Sequence, residues 1–152
     1  MKTFNELIEE VRDRVTELFP WDLEERLENE TLFLLDIREP YEYEAMHIKD
    51  SINVPRGILE TACEYDFEET IPDLVEARDK TVIVVCRSGN RSLFAADVMQ
   101  HMGYQDVVSL KTGLRGWNDS ELPLIKNGEA VDIDDADEFF TAKLRPDQLK
   151  PK

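Results

Sequence analysis

The stretch Thr81-Val82-Ile83-Val84-Val85-Cys86-Arg87-Ser88-Gly89-Asn90-Arg91-Ser92-Leu93-Phe94-Ala95-Ala96-Asp97-Val98-Met99-Gln100-His101-Met102-Gly103 decides how the rest of the chain is read. It opens on a short β-branched, mainly apolar run, the composition of a strand buried on both faces of a parallel sheet. It closes as a helix, because Ala95, Val98, Met99 and Met102 recur at i, i+3, i+4 and i+7, and Gly103 suits a left-handed stop. Between them, Cys86 begins a loop that ends on the helix N-terminus. A loop so placed aims successive backbone N–H groups at one point and forms an anion cradle. Arg87 and Arg91 add fixed positive charge, and cations beside a helix N-terminus favour the thiolate, the reactive form of cysteine. A cysteine at the end of a buried strand is often only a core residue. The following Arg-Ser-Gly-Asn-Arg-Ser does not belong in a core. Cys86 therefore reads as a nucleophile acting on an anion, with Arg87, Ser88, Gly89, Asn90, Arg91 and Ser92 as its binding loop.

The surrounding composition sharpens that reading. The chain has 152 residues, with 34 acidic and 18 basic side chains and a formal charge of −16. Nucleic acids and anionic membranes need basic patches, so neither is an expected partner. Scarce positive charge is nonetheless concentrated around one cysteine. No apolar run approaches a membrane span, and Met1 to Glu6 lacks the apolar segment of a signal peptide. The two cysteines have no framework spacing, which fits a reducing cytoplasm. Neither belongs to a Cys-x-x-Cys pair and only two histidines are present, so neither a metal site nor a cofactor is expected.

Taken in order, Thr3 and Glu6 form a capping box, and Phe4, Leu7, Ile8, Val11 and Val15 form one helical stripe. A second helix is expected over 20–28, strands over 32–35, 51–54 and 106–110, and helical turns over 40–45, 58–63, 71–77 and 113–118. Strands alternating with helices imply an α/β fold with a parallel sheet and right-handed crossovers. Ligands bind such sheets beyond the carboxyl ends of the strands. Those ends are Asp36 to Arg38, Pro55 to Gly57, Cys86, and Lys111 to Gly113. Asp36 is expected to support the site by accepting loop amides or pairing with an arginine, rather than by acting as an acid. His47 reads as a structural hydrogen-bonder and His101 as a surface partner of Asp97, so neither is a base for Cys86. Cys63 has Glu60, Glu64 and Asp66 nearby and reads as the less reactive thiol. Its alternative role is a resolving disulfide with Cys86. Residues 129–138 hold six acids and no base. Ala136, Phe139 and Phe140 suggest a short helix capped by Asp134 or Asp135, its phenylalanines folded back on the domain, so that the chain is a monomer or weak dimer. A frayed tail is expected from Arg145.

The Cys86 to Ser92 loop resembles the active-site loop of single-domain rhodaneses, the thiosulfate-type sulfurtransferases. Three other segments are similar to the same family, in family order: Leu34-Leu35-Asp36-Ile37-Arg38-Glu39; His47-Ile48 with Ser51-Ile52-Asn53-Val54-Pro55; and Thr112-Gly113-Leu114-Arg115-Gly116-Trp117 with Leu122-Pro123. Met46 and Thr112 stand where the family usually has glycine. The resemblance implies a rhodanese-like central parallel sheet of about five strands flanked by helices. It implies a short edge strand near Val15 to Leu18, where the stripe alone would continue the first helix. It divides the chain into an N-terminal helix (1–14), a rhodanese-like domain (15–128) and an acidic extension (129–152). It also implies the chemistry: Cys86 takes a sulfane sulfur from thiosulfate or a similar small anion, holds it as a persulfide, and passes it to cyanide or a thiol, including a protein thiol. Asp36 and Arg38 would support that site. Two other readings stay open. Cysteine phosphatases and arsenate reductases of the related fold carry arginine six positions after the cysteine, whereas Arg91 is five after Cys86. Non-catalytic modules of the family typically lack the cysteine, which is present here.

Overall fold

The computed structural model describes residues 1–152, and its architecture follows from the strand β4 (Thr81–Val85). Val82 and Val84 face one apolar cluster, and Ile83 and Val85 face another. A strand with two buried faces must be central. It pairs in parallel with β2 (Phe33–Asp36) on one side and β5 (Asp106–Leu110) on the other. Parallel β1 (Thr16–Leu18) and β3 (Ile52–Asn53) complete the edges, giving the order β1-β5-β4-β2-β3.

Helices cover both faces. The first cluster takes Ile8 and Val11 from α1 (Phe4–Arg12), Leu59 and Ala62 from α4 (Leu59–Ala62), Leu74 from α5 (Pro72–Val75), and Leu93 and Met99 from α6 (Arg91–His101). The second takes Leu23 from α2 (Pro20–Asn29), Trp117 from α7 (Gly113–Asp119), and Ala136 and Phe140 from α8 (Ile133–Phe140). The remaining helix, α3 (Pro40–Ala45), follows β2. The helix α6 ends as expected, with Gly103 at φ +92°. No helix is long and apolar enough to cross a membrane.

Three local expectations need correction. The first helix ends at Arg12, two residues before the expected boundary, while the edge strand implied by the resemblance is present, with Thr16, Glu17 and Leu18 paired to Val108, Ser109 and Leu110. Backbone pairing along the sheet edge overrides the helical periodicity that reached Val15. The expected 71–77 helix is α5 followed by a tighter turn over Glu76–Asp79. The cap of α8 is Asp132, whose side chain accepts the Asp134 amide at 2.8 Å, rather than Asp134 or Asp135. Two short strands were not anticipated: β6 (Ile125–Lys126) and β7 (Glu129–Ala130) form a hairpin. Its turn residues Asn127 and Gly128 both have positive φ, as a tight hairpin turn demands.

The phenylalanines of α8 fold back on the domain. Phe140 is 2% exposed, and Phe139 packs edge-on against it at 5.1 Å. Phe140→Ala should lower unfolding free energy by about 3–4 kcal/mol, the cost of a large core truncation. Urea denaturation measures this, and a loss below about 1 kcal/mol would show that α8 does not belong to the cooperative fold.

Candidate active site

The carboxyl end of β4 delivers Cys86 to the start of α6. Asn90, at the N-cap, makes no side-chain capping bond. A loop amide and a helix amide are instead met by sulfur: Gly89 N donates to Cys86 Sγ at 3.2 Å and Ser92 N, in the first turn, at 3.3 Å. Ser92 Oγ lies 3.3 Å from Sγ and 2.7 Å from Ser109 Oγ. The thiol can donate to Ser92 Oγ. Once the thiol is deprotonated, the Ser92 hydroxyl can turn to donate, with Ser109 donating in turn to Ser92. Cys86 is only 1% exposed, so its sulfur sits at the bottom of this cradle.

The other side of the loop is clamped by the start of α7. Leu114 N donates to Cys86 O at 2.8 Å and Arg115 N to Arg87 O at 2.9 Å. This approach needs Gly113, at φ +61°, where a Cβ would lie 2.5 Å from Arg87 O. Thr112 precedes it in the left-handed region at φ 67°, although it is β-branched. The resemblance places glycine there, and this backbone explains why. Gly116 accommodates the threonine: a Cβ at Gly116 would meet Thr112 Oγ1 at 1.7 Å. Thr112→Gly should therefore stabilise the protein by about 1 kcal/mol. Gly116→Ala should destabilise the wild type but be tolerated in the Thr112→Gly background. Additive effects in that double-mutant cycle, read by chemical denaturation, would rule out the steric coupling.

The two loop arginines do not stand free over the sulfur. Arg91 forks onto Glu42, with Nη1–Oε1 at 2.9 Å and Nη2–Oε2 at 3.0 Å. Arg87 Nη2 donates to the carbonyl of Phe140, at the end of α8, at 3.0 Å. A pocket of about 470 Å³ opens between them, lined by Glu39, Tyr41, Glu42, Arg87, Arg91 and Phe139. Burial favours the neutral form of Glu42, but the Arg91 fork, the Glu39 amide and the Arg38 charge outweigh it and hold the carboxyl below its usual range. Hydrogen bonding to Glu42 likewise raises the Arg91 guanidinium.

Beside the loop, Asp36 and Arg38 are both fully buried and pair at 2.8 Å. The Arg38 amide also donates to Asp36, and Arg38 Nη2 donates to Met46 O at 2.7 Å. Asn53 Nδ2 donates to the carbonyls of Asp36 and Arg38, joining the ends of β2 and β3. Met46 is extended at φ −173°, so its replacement of glycine carries no backbone strain. His47 Nδ1 bonds Tyr43 O at 2.8 Å, and its ring stacks on Tyr43 at 3.8 Å. His101 Nδ1 meets the Asp97 carbonyl at 2.8 Å, while the Asp97 carboxylate binds Arg14. Cys63 is buried and free, and burial pushes its thiol up, with Glu60 and Glu64 as smaller contributions.

The family model of the rhodanese-like domain matches residues 20–120. The chain belongs to this rhodanese-like family. It is 30% identical over 112 residues to a protein named sulfurtransferase from Allochromatium vinosum, covering 73% of this chain and 95% of that one. It is 33% identical over 89 residues to a putative mitochondrial thiosulfate sulfurtransferase of Schizosaccharomyces pombe, covering 57% of this chain and 63% of that one. The chain spans 43–63% of the length of several curated relatives it matches. Among solved structures, it superposes with a TM-score of 0.75 and 26% identity on a Rhodopseudomonas palustris protein of unknown function described as a possible tyrosine phosphatase. That match covers 82% of this chain and 96% of the other. Family membership and the relatives' names support a role in sulfur transfer.

Within this rhodanese-like domain, Cys86, Gly89 and Ser92 meet at the sulfur, Arg87 and Arg91 line the pocket they share with Glu42, and Ser88 lines a different one. Two site residues escaped the sequence reading. Ser109 is a polar residue inside an apolar strand, a signal that was available. Glu42 is one acid among many, and nothing local marks it. Its contribution to stability has a definite pH dependence. Glu42 titrates lower in the folded chain than in the unfolded one, so the pair stabilises fully above the ordinary carboxylate range and weakens as pH falls through the depressed value. Glu42→Gln should cost about 1–2 kcal/mol at neutral pH, moderated by the 39% exposure of the Arg91 side chain, and the gap should close in acid. Urea titrations at neutral and acidic pH measure the gap. A gap independent of pH would remove the ion pair as its source.

Proposed function

We propose that this protein is a sulfurtransferase that carries a sulfane sulfur as a persulfide on Cys86. The observation that carries the proposal is the pair of backbone N–H groups donating to Sγ itself. They stabilise an anion at that position, whether thiolate or persulfide. In the first half-reaction the Cys86 thiolate attacks the outer sulfur of thiosulfate or a similar donor. A new S–S bond forms, the donor's S–S bond breaks, and sulfite leaves with the electron pair. In the second, a thiolate or cyanide takes the outer sulfur and Cys86 departs as thiolate. Atoms and charge balance without an external oxidant. Within the loop Arg87 to Ser92 the amides of Gly89 and Ser92 hold the sulfur anion, and Asp36 with Arg38 holds the supporting edge. Residues 15–128 carry this chemistry, with 1–14 and 129–152 as additions. Two free thiols suit a reducing cytoplasm, and the charge of −16 favours small or protein thiols over nucleic acid as partners.

A phosphatase reading has one observation in its favour, the likeness to the Rhodopseudomonas protein. Against it stand the placement of Arg91 five positions after Cys86 and its fork onto Glu42, which leaves no free guanidinium from that residue for a phosphoryl group. Incubation with thiosulfate followed by mass spectrometry should show one added sulfur on Cys86. Cys86→Ser should abolish transfer to cyanide, and Cys63→Ser should retain most of it. Comparable losses in the two variants would indicate a two-cysteine relay, and Cys86-dependent aryl phosphate hydrolysis faster than transfer from every donor tried would reject the assignment.

A further inference from the structure

On the side of the catalytic loop away from Arg87 and Arg91, Ser88 borders a second cleft of about 460 Å³. Trp21, Thr112, Arg115, Gly116, Asp119 and Ser120 complete its lining. Arg115 is unusual in this chain. Of the ten arginines, eight pair with a carboxylate and Arg87 donates to a carbonyl. The Arg115 guanidinium is exposed and has no partner, although the chain holds 34 acids. Asp119, one helical turn on, is also exposed and makes no ion pair. Residues four apart on a helix ordinarily can pair. These two instead present opposite charges separately to one cleft. The lining has one aromatic residue: Trp21 is 56% exposed and stacks on Phe19 at 4.7 Å, with Lys111 Nζ 4.9 Å from the Phe19 ring.

We propose that this cleft binds the α-amino-acid group of a thiol acceptor such as cysteine, with Arg115 taking the carboxylate and Asp119 the ammonium. The inference rests on the sulfur-transfer reading for its chemistry, though not for its binding. Arginine recognises a carboxylate through a planar fork, and a nearby unpaired acid selects a zwitterion over a simple carboxylate. Thr112 and Ser120 supply hydroxyls, and Trp21 covers the apolar stem. Ser88 joins the cleft to the loop that begins at Cys86. The acceptor thiolate would attack the outer sulfur of the Cys86 persulfide. The enzyme's S–S bond would break, Cys86 would leave as thiolate, and the acceptor would depart as a persulfide.

Four thiols separate the two charges: cysteine, 3-mercaptopropionate, cysteamine and 2-mercaptoethanol, compared at equal thiolate concentration on the persulfide form of the full chain. Cysteine should have the highest kcat/KM. Arg115→Gln should reduce the ratio of cysteine to 2-mercaptoethanol by about tenfold, as loss of a charge-assisted fork implies. Arg115→Gln should also erase the advantage of 3-mercaptopropionate. Asp119→Asn should instead lower the ratio of cysteine to 3-mercaptopropionate. A second readout needs no sulfur chemistry. S-methylcysteine should change the fluorescence of exposed Trp21, saturably in the wild type and not in Arg115→Gln. If S-methylcysteine binds but no thiol accepts sulfur, the cleft assignment stands and the sulfurtransferase reading fails. If sulfur transfers with equal preference for all four thiols and S-methylcysteine gives no fluorescence change, the cleft is not the acceptor site.

Discussion

A helix N-terminus leaves up to four backbone N–H groups without intrahelical partners. At the start of α6 the usual solution is missing, because Asn90 contributes no side-chain cap. Cys86 Sγ takes that place, accepting from the Ser92 amide within the first turn and from the Gly89 amide in the loop. A thiol is a weak acceptor, whereas an anion at the same position satisfies both donors and the positive end of the helix dipole. Folding of the junction and the sulfur chemistry proposed for it therefore ask for the same thing. Ser92 and Ser109 extend this arrangement by placing a reorientable hydroxyl pair against the sulfur.

That junction is held from three directions. The two buried faces of β4 fix the end of the strand. The first amides of α7 take the carbonyls of Cys86 and Arg87, which is possible only because Gly113 lacks a side chain. From the carboxyl-terminal segment, the last carbonyl of α8 receives Arg87. The acidic extension is thus bonded to the loop that begins at Cys86 as well as packed into the second core through Phe140. Four of its acids lie on α8, whose buried residues Ala136 and Phe140 are apolar, which is why so charged a segment can still dock.

The charge at the site differs from a simple electropositive funnel. Both loop arginines are engaged, Arg91 by Glu42 and Arg87 by a carbonyl. The pocket between them carries Glu39 and Glu42 against Arg87 and Arg91, so its formal charges cancel. Two oriented amides donate to the sulfur directly; they cannot be neutralised by a neighbouring acid and need no reorganisation when charge develops. In a chain with nearly twice as many acids as bases, amides are the more dependable donors.

The sequence by itself determined the elements whose cause is local. The β-branched run before Cys86, the helical spacing after it, the glycine at the helix end and the alternation of strands with helices were sufficient for the sheet and for the position of the cysteine. The hairpin at Asn127-Gly128 carries the same kind of local signal, an Asn-Gly pair between short extended segments. Tertiary structure decided the end of the first helix, because pairing with β5 outcompeted periodicity. It decided which acid capped α8, since several adjacent aspartates offered the same chemistry. Above all it decided what each guanidinium meets. Glu42 lies 49 residues from Arg91, and Phe140 lies 53 from Arg87. A long charged side chain has many rotamers and many candidate partners along the chain, and only the packing of distant segments brings one of them within hydrogen-bond reach.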